Sequence, residues 1–122
     1  MKPEIFDSLS DEALVSTFEA CADAAGEATL DGDRQKMRQA AYRLRDISNV
    51  FRTRGGEVRT MLVPLLGHPK QGARYYAAKH LLAIAPERAR SVIEQVAAGV
   101  GPVAGAAGMT LHALDTGIFK PD

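Results

Sequence analysis

Leu62-Val63-Pro64-Leu65-Leu66-Gly67-His68-Pro69 is followed, after Lys70-Gln71-Gly72, by Ala73-Arg74-Tyr75-Tyr76-Ala77-Ala78-Lys79-His80-Leu81. With Val58 and Met61, the leucines of the first run recur at the three-to-four spacing of a short amphipathic helix. Pro64 kinks or shortens that helix, because it lacks the N–H that a backbone bond would need. Gly67-His68-Pro69 closes it. The second run predicts a helix over about residues 70–85. Ala73, Ala77, Leu81 and Ile84 line one side of it, and Tyr75, Ala78 and Leu82 another. A helix apolar on two sides is packed between neighbours.

The unit is repeated. Val58, Arg59, Met61, Leu62, Leu65 and Leu66 align with Ala89, Arg90, Val92, Ile93, Val96 and Ala97 at an offset of 31 residues. Ala77, Leu81 and Ile84 align with Ala107, Leu111 and Leu114 at an offset of 30. Pro86 and Pro102 each fit the first turn of a helix, and Gly117 ends the last. Upstream, Ser10 is a predicted N-cap with Asp11 and Glu12 in the first turn. The helix it opens carries Leu14, Phe18, Cys21, Ala22 and Ala25 and ends before Asp31-Gly32-Asp33. A second helix carries Met37, Ala40, Ala41, Leu44, Ile47 and Phe51 up to Gly55-Gly56. The expectation is an all-α chain of about six helices in three antiparallel pairs, with a period near 30 residues that marks an α-solenoid.

The LxPLL helix, the short turn and the Ala-Arg-x-x-Ala-Ala-x-x-Leu helix together resemble one HEAT repeat. Ala89-Arg90-Ser91-Val92-Ile93-Glu94, with its small-residue last helix, is similar to a group of small bacterial HEAT-like domains. The resemblance implies a short right-handed α-α superhelix over residues 1–122 as a single domain. It also implies a packing role for Arg74. The last repeat departs from the pattern, since Ala104 stands where Arg74 would be.

With 122 residues, 46% hydrophobic and 25% charged, the chain suits one soluble domain with a core of its own. Cys21 is the sole cysteine, so no internal disulfide can form. Met1-Lys2-Pro3-Glu4-Ile5-Phe6-Asp7 lacks the apolar stretch of a signal peptide. Residues 95–114 contain no Asp, Glu, Lys or Arg. Their Ala and Gly content and the break at Gly101-Pro102 nevertheless argue against a membrane span. Gly105 and Gly108 are expected instead at a close helix contact, within the chain or in a homodimer. The expected location is the cytoplasm.

Overall neutrality conceals a segregation of charge. Residues 1–33 sum to −8, residues 34–90 to +10 and residues 91–122 to −2. Arg34, Arg38, Arg45 and Arg52 form one stripe beside the apolar face of the second helix, and Glu12, Glu19 and Asp23 form an acidic stripe on the first. The arginines then have two possible uses. They pair with the acidic stripe, or they face an acidic partner, whose carboxylates the planar guanidinium grips in bidentate fashion.

Arg38, Tyr42, Arg45, Arg74, Tyr75 and Lys79 are the candidate partner-binding residues. His68, His80 and His112 lie far apart and without ligand spacing, so no metal is expected. Cys21 reads as a buried small hydrophobe. With no nucleophile–base pair and no phosphate loop, neither an enzyme nor a cofactor is expected. The reading is a non-catalytic protein-interaction module with an acidic or mixed-charge partner. The alternative is a nucleic-acid-binding HEAT-like domain using the basic helices, against which the acidic block and a pI near 6.8 weigh.

Overall fold

The computed structural model describes residues 3–122, apart from the side chains of residues 3, 4, 56 and 57. Its helices run α1 (Pro3–Asp7), α2 (Asp11–Asp31), α3 (Arg34–Thr53), α4 (Gly56–Arg59), a 3₁₀ segment (Thr60–Gly67), α5 (Gln71–Leu81), α6 (Pro86–Ala97) and α7 (Pro102–Asp115). Among the described residues there is no strand. The all-helical expectation holds, with two differences. Short α1 precedes the first predicted helix and buries Phe6, with α1 packed against α3. The third predicted helix is α4 followed by the 3₁₀ segment, which contains Pro64. The missing N–H of Pro64 removes one α-helical bond there, and the tighter winding carries the chain past it.

Local chemistry sets the ends. The Ser10 hydroxyl accepts from the Ala13 N–H at 3.1 Å and caps α2. Gly32 at φ 69° ends it. The Gly32 N–H then reaches the Thr29 carbonyl at 3.2 Å and the Asp33 N–H the Ala28 carbonyl at 3.0 Å, a Schellman closure. The Asp33 carboxylate in turn accepts from the Lys36 N–H at 3.1 Å. Asp33 therefore finishes one helix and caps the next, so α2 folds back on α3 through two residues.

Consecutive elements pack as pairs: α2 with α3, the 3₁₀ segment with α5, and α6 with α7. Helix α5 also touches α2, α6 and α7, which explains its apolar sides. Leu44 and Leu81, both on expected core faces, are fully buried, together with Leu14, Phe18, Ile47, Phe51 and Ile93.

The tightest approach lies between α2 and α5. A Cβ built on Gly26 would stand 2.9 Å from the Gly72 Cα, and one built on Gly72 would stand 2.5 Å from the Gly26 Cα. Both obstacles are backbone. The close contact expected at Gly105 and Gly108 is absent, since a Cβ at either meets nothing within 4 Å. The reason is position: α7 is the last helix, its inner face (Val103, Ala104, Ala107, Thr110) is buried, and Gly105 lies on the outer face.

His80 sits at the edge of the core, with its ring edge-on to Phe18 at 5.5 Å. Burial pulls its pKa down from 6.5 to about 4; the charges of Lys79 and Arg59 add to this, and Asp122 opposes it. The imidazole is thus neutral in the fold.

This packing can be tested at the glycines and at His80. Gly72→Ala and Gly26→Ala should each destabilise by about 1–3 kcal/mol in urea unfolding, because overpacking outweighs the gain in helix propensity. Gly105→Ala should be neutral or stabilising by up to about 1 kcal/mol. The opposite ranking would mean that α2 and α5 do not touch as described. For His80, the unfolded chain takes up a proton below pH 6.5 that the folded chain refuses until about pH 4. Stability should therefore decline as pH falls through that window, by as much as about 3 kcal/mol. His80→Gln should flatten that part of the profile, whereas equal slopes in parent and variant would show that His80 is not held neutral.

Candidate functional site

The acids of α2 find partners at the start of α5. Glu19 lies 3.1 Å from His68 Nε2, while His68 Nδ1 accepts from the Lys70 N–H at 3.0 Å. That bond leaves the ring's proton on Nε2, facing the carboxylate. Lys70 Nζ reaches Asp23 at 3.1 Å and Glu27 at 3.6 Å. Arg54 donates to Asp11 at 2.9 Å and to the Leu9 carbonyl at 2.8 Å. The expected pairing of an α2 acidic stripe with an α3 arginine stripe is therefore replaced. Gly26 against Gly72 lays the start of α5 across α2, so His68 and Lys70 meet the acids instead. Arg34, Arg38, Arg43 and Arg45 make no ion pair among the described residues.

The liberated cations border a cleft of about 320 Å³ between α3 and α5. Arg45, Arg52, Arg59 and Lys79 line it, against a single carboxylate, that of Asp122. At the rim the Arg45 guanidinium lies 5.2 Å from the centre of the half-exposed Tyr42 ring, a cation–π contact. Arg52 Nη1 donates to Asn49 Oδ1 and to Asp122 Oδ2, each at 3.1 Å. Lys79 Nζ lies 5.8 Å from the centre of the Phe119 ring, and burial holds its pKa below the ordinary lysine value.

Arg59 is the most enclosed of the four, 7% exposed. Its Nη2 reaches the Asp122 carbonyl at a long 3.4 Å, and its Nε has no partner. Burial lowers its pKa, the charge of Arg52 adds to that, and Asp122 opposes it. A buried guanidinium with an idle N–H is a costly arrangement.

Of the six residues named from sequence, Tyr42, Arg45 and Lys79 meet at the cleft. Arg38 is exposed on α3 but does not line it. Arg74 and Tyr75 are not available to a partner. Arg74 Nη1 donates to the His68 carbonyl at 2.8 Å and the Pro69 carbonyl at 3.1 Å, holding the turn before α5. Tyr75 is 3% exposed, and its hydroxyl bonds Thr110 Oγ1 at 2.6 Å. It is Tyr76, one residue on, that reaches the cleft.

Arg59, Phe119 and Asp122 were not anticipated. A signal for Arg59 lay in the repeat alignment. Its equivalent Arg90 bonds Glu94 through Nε at 3.2 Å and Asp115 through Nη1 at 2.9 Å. At the same offsets from Arg59 stand Val63 and Ile84 or Ala85. Cys21 is half-buried, and burial raises its thiol pKa, opposed by Arg43. No group of three or more His, Cys, Asp or Glu among the described residues is arranged to hold a metal. Among them no helix is long and apolar enough to cross a membrane.

The fold is similar to that in the crystal structure of protein RPA1889 from Rhodopseudomonas palustris CGA009, with a TM-score of 0.84 and 32% sequence identity over 95% of this chain and 97% of that one. No curated protein matches the sequence. The family profile of a domain of unknown function, DUF2019, matches residues 12–115, a span that takes in α2 to α7 almost entirely. The chain therefore belongs to the DUF2019 family.

Proposed function

We propose that this protein is a non-catalytic interaction module, a single short HEAT-like helical-repeat domain working in the bacterial cytoplasm, and that the cleft between α3 and α5 docks an acidic protein segment. The observation that carries the reading is the charge balance at the cleft: four cations and one carboxylate line it. The acids that could have neutralised them are engaged elsewhere, with His68, Lys70 and Arg54. The HEAT-like arrangement draws support from the repeat of 30 to 31 residues and from the consecutive packed pairs. Its last two units correspond to the 3₁₀ segment with α5 and to α6 with α7. A right-handed superhelix of this kind presents its helices as a docking surface.

Two features weigh against catalysis. His80, the one imidazole lining the cleft, has lost basicity through burial, and no hydrogen bond joins it to the neighbouring Ser48 among the described residues. A general base needs both reach and a pKa near the working pH. Nucleic acid is the competing anionic partner. The α2 carboxylates, though paired, remain partly exposed and repel a phosphate backbone.

The test uses a short labelled Glu-rich peptide and, as competitor, a short DNA duplex. Arg45 is exposed and free of ion pairs, so Arg45→Glu should change stability by no more than about 0.5 kcal/mol. The same change should weaken peptide binding about tenfold or more at low salt. Undiminished peptide affinity in this variant would overturn the reading, and so would a DNA duplex that binds more tightly than the peptide.

A further inference from the structure

Arg90 and Arg59 occupy equivalent places 31 residues apart, yet their surroundings differ. Arg90 is satisfied within its own unit by two carboxylates, Glu94 four residues on and Asp115 at the end of the following helix. Around Arg59 both acids are gone: Val63 replaces the first and Ile84 or Ala85 the second. Arg59 is also the more deeply buried of the two. The positive charge has been kept and its two internal partners removed, at the wall of a cleft that already holds Arg52 and Lys79.

The chain's own segment after α7 reaches this place. Gly117 at φ 76° turns the backbone, and the Phe119 N–H bonds the Ala113 carbonyl at 3.0 Å. The segment then crosses the cleft: Phe119 stacks under Lys79, the Asp122 carboxylate meets Arg52, and the Asp122 carbonyl meets Arg59. The fit is partial. The carboxylate addresses Arg52, leaving Arg59 a single long bond to a neutral oxygen, and the Asp122 side chain is 80% exposed. An ion pair this open contributes little, so the segment is exchangeable.

We propose that the Arg59 end of the cleft is a carboxylate-binding site for an extended acidic peptide, and that residues 116–122 fill it in cis as a stand-in. The inference rests on the interaction reading above and supplies the chemistry of the ligand: an aromatic residue with a carboxylate three positions on, as Phe119 and Asp122 are placed. The aromatic lies against Lys79. The carboxylate bridges Arg52 and Arg59, taking the place that Glu94 and Asp115 hold around Arg90. Because the stand-in is tethered, it competes at an effective concentration on the order of millimolar, and a ligand in trans must displace it.

The experiment measures, by fluorescence anisotropy, binding of a labelled, C-terminally amidated peptide, Thr-Gly-Ile-Phe-Lys-Pro-Asp, to the full chain. Phe119→Ala combined with Asp122→Asn releases the cis segment and should raise affinity at least about tenfold over the parent. Adding Arg59→Met to the released chain should abolish binding without lowering the unfolding midpoint, because an apolar side chain replaces an under-satisfied buried charge. Should that variant fold poorly, a probe with Asn in place of its Asp asks the same question from the ligand's side. Equal affinity in parent and released chains overturns the proposal. So does absence of binding to either, binding that survives Arg59→Met, or full affinity for the Asn probe. The Glu-rich peptide reports separately on the interaction reading. If it still binds through Arg45 while the present probe behaves in any of these ways, only the Arg59 assignment falls.

Discussion

The backbones of α2 and α5 touch at Gly26 and Gly72, and much of the molecule's surface chemistry descends from that contact. Two helices meet this closely only where neither carries a Cβ at the crossing. The contact places α5 in the middle of the structure, with α2, the 3₁₀ segment, α6 and α7 around it. It also sets the preceding turn against the outer side of α2, within reach of Glu19, Asp23 and Glu27. A shallower crossing with ordinary side chains would separate those groups.

Once His68 and Lys70 have taken those acids, the arginines of α3 have no intramolecular counterpart. Pairing on the surface contributes only about 0–1 kcal/mol each time, so the fold loses little by it. The consequence is electrostatic: a chain with zero net charge has one side on which cations dominate. Low-dielectric walls concentrate such a field, which favours encounter with an acidic surface more than it raises affinity.

Burial grades the four cations of the cleft. Arg45 at the rim is solvated and leans on Tyr42; Lys79 and Arg59, deeper, are held below their ordinary pKa values by burial. Solvated rim charges govern rate and salt dependence, whereas a desolvated charge with an unfilled donor discriminates by geometry. The comparison of Arg59 with Arg90 gives this contrast its sharpest form, since one repeat position carries a satisfied surface network in one unit and an under-satisfied buried guanidinium in the other.

The helices were legible in the sequence because their signals are local. Ser10 and Asp33 each cap the helix that begins one residue later, Gly32 and Gly117 permit a left-handed turn, and Pro86 and Pro102 begin helices without needing a partner N–H. Leu44 and Leu81 could be assigned to the core by periodicity alone. The same periodicity could not say which glycines touch: Gly105 and Gly108 stood out in an uncharged stretch, while Gly26 and Gly72, 46 residues apart, belong to different helices and reveal themselves only at the crossing. Nor could a helical projection separate Tyr75 from Tyr76 or show that Arg74 serves its own turn. The sequence by itself determined which segments are helical and where charge accumulates, since capping, apolar spacing and composition act over a few residues. Which cations remain unpaired, and that Asp122 comes to lie beside Arg52 and Arg59, was decided by tertiary structure, because ion pairing depends on distance through space.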